Sequence, residues 1–323
     1  MFYKLLLYLV ILLAFASRGV QAEDYNVPDV YLTINEAIDA ANASGGGTVH
    51  ISAGPYNEPV VLKSNVWLEG EWESGELATR LIGTSFGCPI VRAIDVTNVG
   101  ITNLKIIASS NFDDSGGGVY CENSERVFIL GNEIIGNYAW VGGGGICFEN
   151  SHGSIGYNKI TGNYAHYGGG ICVEGSDSDV QIYNNLISSN LEGGGIYIKD
   201  GAYTYISDNS LGGNETGYSS AGGAGIFMLG VTTTIIKDNT LSGNLAGAKG
   251  GGIYCIDSSP TVTENLIAGN EASDTGGGLA LLNSSGKFEN NEIYENNAES
   301  GGAIACTGSL TSISGNRIES NHA

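Results

Sequence analysis

Gly250-Gly251-Gly252-Ile253-Tyr254-Cys255, followed ten residues later by Asn265 and Asn270, is one copy of a unit that the chain repeats eight times. The last small residue before the apolar pair falls at Gly118, Gly145, Gly170, Gly195, Gly225, Gly252, Gly278 and Ala303, in steps of 25 to 30 residues. Paired asparagines keep the same beat, from Asn132/Asn137 and Asn158/Asn163 to Asn291/Asn296 and Asn316/Asn321. A period in this range, with glycine and asparagine at fixed phases and short apolar pulses between them, is the signature of a solenoid.

One coil shows the layout. Gly143 to Gly145 lead into Ile146-Cys147-Phe148, a turn follows at Glu149 to Gly153, then Ser154 to Tyr157, Asn158-Lys159-Ile160 and Asn163-Tyr164-Ala165. Three short strands of this kind bury their apolar residues only when neighbouring coils stack on them. Asparagines at fixed phase can then form amide ladders inside the turns, and the glycines suit positive φ at the corners. Upstream, Thr33-Ile34-Asn35-Glu36 is a capping box opening a helix over Ile34 to Ala43. That helix is placed to cover the open end of the stack. Strands are expected at Thr48 to Ser52, Val60 to Leu62, Val66 to Glu69, Arg80 to Ile82, Ile90 to Ile94 and Ile101 to Ile107.

The run from Tyr31 through the helix, Val49-His50-Ile51, Ala53 to Tyr56 and Asn65 to Gly70 resembles the start of many pectin-lyase-like proteins. The repeat itself is similar to the right-handed parallel β-helix family. Gly301 to Ile304 and Phe288-Glu289-Asn290-Asn291 also resemble the GGAI and FxxN motifs of polymorphic outer-membrane adhesins. The resemblance implies an all-β fold: a right-handed parallel β-helix of ten or eleven coils and three sheets, with an N-terminal capping helix. It divides the chain into a signal peptide (1–22), the capping helix with irregular first coils (23–112) and regular repeats (113–323). Because residues 316–323 begin a coil that is not completed, the chain reads as a fragment or the stub of a longer array. The basic catalytic set of a pectate-type lyase and the aspartate cluster of a hydrolase motif are both missing, so the resemblance specifies fold and leaves activity open.

Thirty-four acids against 13 bases give a net charge of −21, which excludes nucleic acid as a partner. It would also repel an anionic polysaccharide unless a divalent cation stood between them. Lys4, the apolar run Leu5 to Ala16 and Val20-Gln21-Ala22 read as an export signal. The expected product is secreted or held at the cell surface, with no membrane insertion after cleavage. Cys121, Cys255 and Cys306 fall on the core phase, whereas Cys147 and Cys172 point outward on consecutive coils. At a strand spacing of about 4.8 Å, that last pair is close enough for a disulfide.

In register, one outward row reads Tyr120, Cys147, Cys172, Tyr197 and the next reads Glu122, Glu149, Glu174, Lys199. Stacked carboxylates repel, so either one holds a proton or a cation such as calcium sits among Glu122, Glu149 and Glu174. Tyr138, Trp140, Tyr164, His166 and Tyr167 lie just across the glycines and, with Tyr120 and Tyr197, can line a sugar-binding face. The expected partner is therefore a polysaccharide or cell-surface glycan. No cofactor other than calcium is implied. A second expectation is catalysis, as a lyase, hydrolase or epimerase, by Glu149 and Glu174 assisted by Lys199 or His166. Carboxyls one coil apart suit a retaining glycosidase, and Glu122 with Glu174 an inverting one. The third is a passive structural or adhesin rod.

Overall fold

The computed structural model describes residues 25–83, 87–111, 115–217 and 222–323, so the expected signal peptide lies outside the described residues. The chain winds into a right-handed parallel β-helix of about eleven turns. Among the described residues its first sheet has 12 strands, from Tyr25–Val27 to Ser312–Ser314, and its second has 11, from Gly54–Tyr56 to Arg317–Glu319. The third has 10, from Val60–Val61 to Ile304–Thr307. Two-residue strands such as Tyr138–Ala139 and Tyr164–Ala165 add a short fourth line of pairing. One antiparallel hairpin, Trp72–Glu73 with Glu76–Leu77, interrupts the pattern near the start.

Like residues one coil apart are direct partners: Ile146 with Ile171, Cys147 with Cys172, Phe148 with Val173 and Glu149 with Glu174. Alternate residues of each strand therefore stack in a continuous inner core that includes Ile146, Phe148, Ile155, Ile160, Cys121 and Cys255. Each fully buried Ile or Phe contributes about 1.5–3 kcal/mol, and its packing partners come from the coils on either side. Cys306, expected on the same phase, is exposed on the last strand of the third sheet, and all six cysteines are free thiols.

Corners are made by one rule. A residue with left-handed backbone is followed by a ladder residue: Tyr157 (φ 58°) precedes Asn158 and Asp238 (φ 55°) precedes Asn239. Asn158 accepts from the main-chain N–H of Asn132 at 2.9 Å and from its amide at 3.1 Å. Its own amide donates to the Ile129 carbonyl at 2.8 Å and to Asn185 Oδ1 at 3.0 Å. Both asparagine ladders run on in this way as far as Asn316 and Asn321. The third corner carries a hydroxyl ladder that the sequence did not announce, with the Ser124 N–H donating to Ser151 Oγ at 3.0 Å and that of Ser151 to Ser178 Oγ at 3.1 Å. A left-handed residue, here followed by Leu104 in place of a ladder side chain, also splits the long strand expected over 101–107. Asn103 (φ 57°) turns the chain between Thr97–Thr102 in the first sheet and Lys105–Ile107 in the second.

Helix α1 spans Ile34–Ala43 and closes the N-terminal end as expected, with Thr33 and Glu36 forming both halves of the capping box. Ile34, Ala37, Ile38 and Ala41 are buried and join the inner core. Glu58 holds the helix from the side, accepting from the Ile34 N–H at 2.9 Å and from the Asn35 amide at 2.9 Å. Among the described residues no helix is long and apolar enough to cross a membrane.

Candidate functional site

The third sheet turns its second face away from the inner core, and here the structure revises the expected site. Tyr120, Cys147, Cys172 and Tyr197 do lie in one row, but they form a second buried cluster with Phe227, Tyr254 and Ala280. Tyr120 is only 6% exposed and Tyr197 3%, so neither offers a ring face to a ligand. They underlie the surface instead of forming it. The cover is the glycine turn that precedes each strand. A Cβ on Gly142 would lie 3.0 Å from Cys172 Sγ, and one on Gly116 would lie 2.7 Å from Tyr120 Cβ. Only backbone without a side chain can pass so close. Tyr167 extends the cover, its ring stacked on that of Tyr197 at 5.0 Å.

The neighbouring row stays at the surface and is charged over four coils only. Glu122 pairs with Glu149, and Glu149 with Glu174. Before Glu122 the row holds Ile94, and after Lys199 it continues as Leu229, Ile256 and Leu282. A polar window is thus framed by apolar residues at both ends. Tyr120 Oη donates to Glu149 Oε2 at 2.7 Å. Burial, then that bond, pushes the Tyr120 phenol far above its ordinary value. Lys199 Nζ lies 3.1 Å from Glu174 and 3.4 Å from Asp200. Burial pulls the Lys199 ammonium down, but the bond to Glu174 and the two negative charges outweigh it and hold it above its ordinary value. The two central carboxylates therefore differ in partner: a neutral donor for Glu149 and an ammonium for Glu174.

Beyond the glycine turns four of the expected aromatics, Tyr138, Trp140, Tyr164 and His166, form one connected group, whereas Tyr167 packs on Tyr197. The rings of Tyr138 and Tyr164 stack at 4.9 Å with planes 8° apart. Trp140 meets His166 edge-on at 4.8 Å, and His166 contacts Tyr164 at 6.4 Å. Trp140 is 51% exposed and Tyr167 42%, so these two present most of the free ring surface. Burial and the nearby Glu192 raise the Tyr164 phenol. Glu192 was not singled out in the sequence, nor was the continuation of the buried row through Phe227 and Tyr254, although their phase one residue after the strand-opening Ile is the same. A concavity of about 440 Å³ lined by Glu73, Glu76, Arg80 and Lys105 lies by the N-terminal coils, away from the charged window.

Residues 91–265 and 224–323 match the family described as the right handed beta helix region, which together is well over half the chain. The chain belongs to that family. No curated protein sequence matches it. Among solved β-helix structures it is similar to DFA-IIIase from Arthrobacter chlorophenolicus A6, with a TM-score of 0.63, 13% identity, and 94% of this chain and 89% of that one covered. It is also similar to the A-module of a mannuronan C-5 epimerase from Azotobacter vinelandii, with a TM-score of 0.51, 19% identity, and 94% and 96% covered. A third is the tailspike of E. coli bacteriophage HK620, solved with a pentasaccharide, with a TM-score of 0.51, 13% identity, and 94% and 65% covered. At such identities the likeness is one of β-helix fold.

Proposed function

We propose that the chain is an exported β-helix protein that binds a polysaccharide or cell-surface glycan across the charged window and the aromatic group beside it. One observation carries the reading: Trp140 and Tyr167 expose their rings, and Tyr167 stacks on Tyr197 of the buried row that flanks a line of carboxylates found nowhere else among the described residues. Aromatic rings take the apolar faces of sugars, and carboxylates accept hydrogen bonds from hydroxyls. The names of the epimerase and of the pentasaccharide-bound tailspike point to carbohydrate on the same fold. Calcium bridging Glu122 and Glu149 to an acidic glycan belongs to this reading, since the net charge of −21 otherwise repels such a ligand. A glycan array with the purified chain is the test. Binding weakened about tenfold or more by Trp140→Ala, in a variant that keeps its fold, is expected; no binding across acidic and neutral glycans with calcium present refutes it.

A second reading, cleavage or epimerisation of the bound polysaccharide, is favoured by the unlike partners of Glu149 and Glu174. One carboxylate beside a neutral donor and one beside a cation suit an acid and a base. New reducing ends or unsaturated products that vanish in Glu149→Gln and Glu174→Gln would establish it. Binding without any product leaves the first reading alone.

A further inference from the structure

Cys147 and Glu149 on one strand, and Cys172 and Glu174 on the next, make a two-by-two array on the outer face of the third sheet. The sulfurs of Cys147 and Cys172 and a carboxylate oxygen of Glu174 all lie within 4.8 Å of one another. Both thiols are buried, at 0% and 1% exposure, under the turn at Gly142, while the Glu174 side chain remains 16% exposed on the open side. Tyr120 and Tyr197 wall the pair on the coils before and after. Lys199 meets Glu174 through Oε2 and has Asp200 as a second partner, so an ion on Glu174 would not strand the ammonium.

We propose that Cys147, Cys172 and Glu174 bind one thiophilic divalent cation of the zinc class, with water as the fourth ligand on the open side. Two thiolates with a carboxylate suit zinc-like ions and are a poor set for calcium or magnesium, which take oxygen ligands. On binding, each thiol gives up its proton to solvent and two metal–sulfur bonds form, with no change in oxidation state. The ion would tie two successive coils together beneath the glycine turn, at the centre of the charged window.

Cobalt is the probe. The chain is prepared under reducing conditions with the two more accessible thiols removed, Cys88→Ser and Cys306→Ser. Titration with Co²⁺ is expected to give sulfur-to-cobalt charge-transfer absorption in the near ultraviolet, saturating at one ion per chain. Zn²⁺ should displace it and excess Ca²⁺ should not. Adding Cys147→Ser with Cys172→Ser should abolish the absorption while the circular dichroism of the folded sheet persists. A folded, reduced chain that gives no such absorption overturns the proposal. So does absorption that survives the double substitution, or a Cys147–Cys172 disulfide in the purified chain that takes up no cobalt after reduction. Glycan binding measured on the same variants separates this site from the glycan reading, because neither thiol is exposed to the ligand face.

Discussion

Replacing Asn163 by alanine tests the corner rule where it supports the candidate site. Asn163 is fully buried, and its Oδ1 accepts from the Asn137 N–H at 3.0 Å and the Asn137 amide at 3.0 Å. Its amide donates to the Ile134 carbonyl at 3.0 Å and to Asn190 Oδ1 at 3.0 Å. Truncation strips the side-chain acceptor from the Asn137 N–H. The Asn137 amide keeps its bond to Ile106, and Asn190 Oδ1 keeps the Asn163 N–H. One buried N–H left bare costs about 1–3 kcal/mol, and the two partly satisfied groups add about 1 kcal/mol each, so about 3–5 kcal/mol in all is expected. Asn163→Asp should cost at least as much, because a carboxylate can accept from Asn137 but cannot donate to Ile134 or Asn190. Urea denaturation followed by circular dichroism gives the measurement, with Lys159→Ala on the exposed side of the same coil as a control expected within about 0.5 kcal/mol of wild type. If Asn163→Ala falls within about 1 kcal/mol of wild type, the ladder is incidental and the reasoning fails.

Three further outcomes follow from the same geometry. Gly144→Ala would put a Cβ 2.3 Å from the Tyr164 carbonyl oxygen and should destabilise by about 3 kcal/mol or more, whereas Gly136→Ala, at φ 63° with open space around it, should cost only about 1–2 kcal/mol on the same urea assay. Tyr120, Tyr183, Tyr197 and Tyr254 all have phenols raised above the ordinary value of 10.0, chiefly by burial. Their contribution to stability is complete below that value and is lost as pH climbs above it towards the folded values, so tyrosinate absorption from these rings should appear together with alkaline unfolding and not before it. Cys255→Ser buries a hydroxyl in the apolar core and should lower stability by about 1–3 kcal/mol, while Cys306→Ser on the exposed strand should leave thermal unfolding unchanged.

Much of this molecule can be read from its residue order, because a parallel coil turns sequence spacing into spatial stacking. Glycines and asparagines every 25 to 30 residues determine the solenoid, the two amide ladders and the alignment of Glu122, Glu149, Glu174 and Lys199. Thr33 and Glu36 likewise announce the capping helix, since a capping box needs only local contacts. The tertiary structure alone decided which outward residues are surface. A two-residue alternation says that Tyr120, Cys147, Cys172 and Tyr197 face away from the core, but it is silent on what the next turn does above them. The turns at Gly116, Gly142 and Gly168 fold back at van der Waals distance over that row, leaving the glutamates and the Trp140 and Tyr167 rings as the open face. That close approach joins residues of neighbouring coils through backbone without side chains, and no pattern of hydrophobicity along one strand can encode it.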